Sequence, residues 1–173
     1  MKQRVMIAVL AATACATPAA AQGPPDLSMK GQYEMAKMWI TKSAEMMPEA
    51  DYSFKPTPDV RSFGQVLGHI ANSMGMICVA PTGAKSPLAG DAEKLATKAE
   101  TTKALADVFA ACDKVWASVT PSWNTEIVEN FQGKPSKMAV IAFNTSHLFE
   151  HYGNLVTYLR LKKLVPPSSQ RGM

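Results

Sequence analysis

The chain of 173 residues has three histidines, His69, His147 and His151, and the last two stand four apart in the stretch His-Leu-Phe-Glu-His. On an α-helix that spacing puts the two side chains about 40° apart round the axis, so both imidazoles can aim a nitrogen at one cation. His69, in Phe-Gly-Gln-Val-Leu-Gly-His-Ile-Ala-Asn-Ser, is the natural third ligand. Taken singly, a histidine among apolar neighbours reads as a hydrogen-bonded core residue. Together, two at ligand spacing and a third on a helix leave a metal site and a hydrogen-bonded cluster as the two readings to separate. The distinction matters chemically. Three imidazoles leave a tetrahedral or octahedral ion with open positions, whereas structural zinc closes its fourth position with protein. An open site can lower the pKa of bound water toward about 7.

The same stretch fits the His-x-x-Glu-His pattern of inverted zincins, with Glu150 as general base. That chemistry needs a further, usually acidic, ligand, for which Glu34, Glu45 and Glu93 are the candidates, none in a telling local context. Glu150 lies about 100° round the helix from His151, a direction suited to a supporting or surface carboxylate rather than a ligand. Asn72, one turn beyond His69, and Asn154 and Tyr158, on the histidine stripe, are candidates to orient ligands or a substrate. Tyr158 reads equally as ordinary packing.

Four helices must position these groups. The first is expected over Met29–Met47, capped by Ser28 and ended by Pro48. Ser62 with Gln65 forms a capping box for a second helix running to about Val79. Within it, Gly64 and Gly68 lower helix propensity but let another backbone come close. Proline- and glycine-rich residues 81–90 form a loop, and a short helical turn is expected over residues 91–98. Thr101 is read as the cap of a third helix whose apolar stripe ends at Pro121. Residues 121–135 are irregular, with Trp123 and Phe131 expected to fold onto the bundle. Ser136 opens the longest helix, to about Leu164. No alternating strand pattern appears, so an all-α four-helix bundle is the leading architecture.

Lys2 and Arg4, the apolar run Val5–Thr17 and Ala19-Ala20-Ala21 have the form of a cleavable export signal over residues 1–21. The run is shorter than the roughly 20 apolar residues a membrane span needs. Ala12 occupies the position where a lipid-anchoring sequence at Cys15 would want leucine. The expected product is therefore periplasmic or secreted, without a stable membrane anchor. It would comprise a linker over 22–28, one domain over 29–169 and a short tail over 170–173. Losing Lys2 and Arg4 with the leader lowers the formal charge from +4 to +2. No basic run interleaved with aromatics remains, which argues against nucleic acid as a partner. Cys78 and Cys112 remain, and an even count in an exported chain predicts one disulfide joining two helices. Two independent buried thiols are the alternative.

Leu67-Gly68-His69-Ile70 on one helix, with His147, His151, Gly153 and Asn154 on a later one, resembles the pattern of the DinB-like superfamily. The run from Glu150 to Ser169 is especially similar to an exported branch of it, and Cys78 and Cys112 fall where that branch has cysteines. The resemblance spans Met29 to Ser169. It implies an up-down-down-up bundle with a divalent metal (nickel, zinc, iron or manganese) on His69, His147 and His151, and it admits a homodimer. It also implies metal-dependent chemistry of hydrolase or transferase type on an unknown small molecule. Relatives include bacillithiol S-transferases and a mycothiol-dependent maleylpyruvate isomerase, whose thiol cofactors are cytoplasmic, and Asn154 replaces the glutamine common in the family. The alternative is a metal-holding or stress-associated bundle without turnover.

Overall fold

The computed structural model describes residues 28–170, so the expected leader, the linker up to residue 27 and the last three residues lie outside it. Four helices carry the fold: α1, Met29–Met46; α2, Phe63–Ile77; α3, Lys98–Ala117; and α4, Lys137–Leu161. Among the described residues there is no strand, only isolated bridges between Ile127 and Ser136 and between Asn130 and Gly133.

Local chemistry sets the helix ends. Ser28 and Ser136 accept from the main chain of Gly31 and Ala139, and Ser62 with Gln65 closes a reciprocal capping box. The third helix starts earlier than expected. Thr97 and Glu100 form its capping box, and Thr101 lies inside the first turn, its hydroxyl donating to the Thr97 carbonyl. The turn expected over 91–98 is a 3₁₀ turn confined to Ala92–Lys94. The fourth helix stops short of Leu164 because Lys163 adopts a left-handed conformation (φ 60°). The amides of Leu164 and Lys163 then bond back to the carbonyls of Leu159 and Arg160, a Schellman closure.

Contacts between helix ends fix the directions. Lys98 at the start of α3 donates to the Glu45 and Met47 carbonyls at the end of α1, so these two helices run antiparallel. Tyr158 near the end of α4 donates to the Arg61 carbonyl just before α2, making that pair antiparallel too. Lys162, after α4, pairs with Asp51, after α1, so α1 and α4 are parallel. A disulfide between Cys78 and Cys112, with Cα atoms 5.7 Å apart, joins the late parts of the parallel helices α2 and α3. The topology is therefore up-down-down-up.

Ile40, Leu67, Ile70, Leu148, Leu155 and Leu159 are fully buried at the centre. The α2 region, Phe63–Thr82, is apolar and long enough to cross a membrane by length and composition, yet 67% of its most apolar window is buried inside the bundle, as befits a core helix. Trp123 packs inward with the Lys137 ammonium 5.3 Å from its ring. Phe131 does not follow it: at 63% exposed it stands at the tip of the 130–133 turn and touches Phe143 instead.

Candidate metal centre

Helix geometry alone brings His147 and His151 together on α4. Their Nε2 atoms are 2.9 Å apart. Two nitrogens each about 2.1 Å from a shared ion, at right angles, would be about 3.0 Å apart, so this spacing matches adjacent ligand positions. His69 arrives from the antiparallel α2, its ring centroid 5.5 Å from that of His147 and 4.7 Å from that of His151. One ligand nitrogen from each of the three lies within 4.8 Å of the others, a group that could hold a metal ion.

Delivering His69 takes more than α2. Gly68 has no Cβ, and one built there would meet the Ala92 carbonyl oxygen at 2.4 Å, so the 3₁₀ turn rests directly on the α2 backbone. Asn72 fastens it: its Oδ1 accepts from the Ala92 amide (2.9 Å) and its Nδ2 donates to Asp91 Oδ1 (2.7 Å). From this turn Glu93 reaches His69, Oε1 to Nδ1 at 3.0 Å. A carboxylate there holds the proton on Nδ1 and leaves the Nε2 lone pair for a cation. The other carboxylate oxygen, Oε2, accepts from Arg61 Nε at 2.9 Å, and the Arg61 carbonyl is anchored by Tyr158 at 2.5 Å.

Electrostatics suit a cation. Burial, followed by the neighbouring His147 and His69, pushes His151 down to about 4. Burial and His69 also hold His147 below the usual histidine range. Both rings are thus neutral near pH 7, with lone pairs free to bind. Glu93 is held below the usual carboxylate range: burial works against ionisation, but hydrogen bonds from Arg61 and His69 outweigh it. The donor set of three imidazoles, one with a carboxylate partner, fits a divalent cation of the zinc, nickel or iron type.

The remaining candidates fall in different places. Asn154 Nδ2 lies 3.3 Å from His151 Nδ1, and Tyr158 is buried beside the site. Asn72 does not face the imidazoles; it serves the turn that carries Glu93. Glu150 is exposed, and its charge favours the protonated forms of His147 and His151. The inverted-zincin reading loses its acidic ligand. Glu34 pairs with Lys30 on the surface, Glu45 is exposed, and Glu93 bonds an imidazole rather than joining the ligand group. Sequence reasoning named Glu93 only as a candidate acidic ligand, not as the partner of His69, and passed over Arg61; Gly68 beside His69 was the one local sign that a backbone packs there. A cleft of about 770 Å³, lined by Lys55, Arg61, Glu93, His151, Asn154 and Tyr158 among others, opens onto the site.

The sequence profile of the DinB superfamily matches residues 32–155, which runs from within α1 to within α4 and takes in all three histidines. The chain belongs to the DinB superfamily. Among solved structures it is similar to a DinB-like protein from Bacillus cereus ATCC 10987, with TM-score 0.69 and 15% identity over 80% of this chain and 95% of that one. A DinB-like protein from Bacillus subtilis gives TM-score 0.61 and 17% identity over 83% and 99% of the two chains. At such identities these neighbours establish the DinB-like fold alone. No curated protein sequence matches.

Proposed function

We propose that this DinB-superfamily protein is an exported metal-dependent enzyme of hydrolase or transferase type. It would hold a divalent cation (nickel, zinc, iron or manganese) on His69, His147 and His151. The observation that carries the reading is the convergence of three imidazoles from two antiparallel helices, one of which, His151, lines a cleft large enough for a small molecule. When bound, the cation supplies Lewis acidity and open positions for water or a substrate atom. The chain's own groups prepare the ligands. Glu93 keeps the His69 proton on Nδ1, and the Asn154 side-chain amide lies against His151 Nδ1 and helps set that ring's orientation. Phe143 stacks against His147 with ring centroids 6.1 Å apart and covers that ligand's outer side. The export component rests on the character of residues 1–21, and a Cys78–Cys112 bridge suits an oxidising compartment.

Elemental analysis of the purified protein, before and after incubation with each metal, followed by screening with esters and small electrophiles with and without thiols, tests the reading. About one ion per chain and turnover that disappears on chelation support it. Failure to take up any of the four metals defeats it. Full loading without turnover on any substrate class would make the protein a metal-holding bundle.

A further inference from the structure

The cleft beside the histidines contains a cation that the metal reading does not use. Arg61 gives only Nε to Glu93, and among the described residues no hydrogen bond occupies its terminal Nη1 and Nη2. Its side chain is 46% exposed, so those nitrogens are open to a solute, yet it is not loose. Tyr158 anchors its carbonyl, and Glu93, itself bonded to His69, fixes the guanidinium orientation. The free fork is therefore held two hydrogen bonds away from a metal-ligand candidate, on the wall of the cleft that His151 also lines.

The charges of the cleft point the same way. Its bases are Lys55 and Arg61, its acids Asp59 and Glu93. The Glu93 carboxylate is already engaged by Arg61 and His69, and one divalent cation on the imidazoles would make the whole cleft electropositive. A planar guanidinium presenting two parallel N–H groups matches a carboxylate in a bidentate pair.

Resting on the metal reading above, we propose that Arg61 forms an anion subsite. The substrate would be a small carboxylic acid whose carboxylate lies on Nη1 and Nη2 while a second functional group reaches the three-histidine centre. Arg61 thereby selects acidic substrates over neutral ones of the same length. The ordinary alternative is that Arg61 only neutralises Glu93.

Succinate and butyrate separate the two. Each has one carboxylate for a metal, but only succinate has a second for Arg61. Calorimetric titration of nickel-loaded protein is expected to show succinate binding about tenfold or more tightly than butyrate. In Arg61→Lys, which keeps a positive partner for Glu93 but loses the fork, the preference, compared between the two acids on the same metal-loaded variant, should fall to within about twofold. Arg61→Ala should behave alike toward the two acids. Equal affinities in fully loaded wild-type protein, or a preference that survives in Arg61→Lys and Arg61→Ala, overturns the subsite and leaves the metal reading standing. Metal content measured on the same samples distinguishes the two failures: wild-type protein that takes up no nickel defeats the metal reading for that ion, and the subsite with it.

Discussion

Gly68→Ala tests whether the approach of the 3₁₀ turn to α2 governs the site. The added Cβ would stand 2.4 Å from the Ala92 carbonyl oxygen, 2.6 Å from its carbonyl carbon and 2.8 Å from Glu93 Cα, whereas ordinary contact begins near 3.4 Å. All three obstacles are main-chain atoms, so no side chain can swing aside, and the turn must retreat by about 1 Å. The Glu93–His69 and Asn72–Ala92 bonds, 3.0 and 2.9 Å long, would then pass out of hydrogen-bond range. Losing two such bonds costs about 2 kcal/mol, and the better helix propensity of alanine returns about 1. The net expectation is a destabilisation of about 1 kcal/mol, with metal affinity reduced roughly 10–100-fold because His69 loses its partner. Gly153→Ala is the control, since a Cβ there meets nothing within 4 Å. It should raise stability by up to about 1 kcal/mol and leave metal affinity unchanged. Urea denaturation of metal-free protein gives the first quantity, and competition against a chromogenic chelator gives the second. A Gly68→Ala protein as stable as the control and equally tight for metal would refute the reasoning.

Three further outcomes are expected. His147→Ala and His151→Ala should each abolish metal uptake while circular dichroism still reports the helical bundle, because both rings lie at the edge of the core; full retention of metal in both would remove them as ligands. Glu93→Gln, which keeps an acceptor for His69 but gives up the charge, should weaken metal binding by about tenfold with little change in unfolding temperature; unchanged binding would show that the carboxylate is dispensable. Reducing the Cys78–Cys112 bridge should cost about 2–5 kcal/mol and lower the unfolding midpoint by roughly 5–15 °C, whereas two titratable thiols in the unfolded, unreduced chain would show that no bridge exists.

The legible parts of the sequence were those whose determinants are local or periodic. Four helices, the Ser28, Ser62 and Ser136 caps and the facing pair on α4 all follow from residues within one or two turns. The third helix was misplaced for an instructive reason. Thr97 has glutamate three residues on and so closes a capping box, whereas Thr101 has Ala104 in that position and nothing to reciprocate its amide. Phe131 was expected inside on hydrophobicity alone, but the Asn130–Gly133 pairing turns the chain there and puts the ring outside. The Glu93–His69 contact spans 24 residues and depends on where a loop lands, which no local pattern encodes.

That contrast also explains how the centre is built. His147 and His151 need no outside help to face one point, since a single helix sets both. His69 comes from another helix, and its aim varies with the packing of α2 on α4 and with its own ring rotation. Around it are gathered Gly68, Asn72, Glu93, Arg61 and Tyr158, linked by bonds that run from α2 through the 3₁₀ turn and the pre-α2 loop to α4. The Tyr158 bond ties the loop before α2 to the helix that carries the other two ligands, so a shift between the helices would strain the same network that orients the third. Damage to this network should therefore weaken the three-ligand site while leaving the His147–His151 pair in register, and a residual two-histidine affinity is the signature to expect from Glu93, Asn72 and Gly68 variants alike.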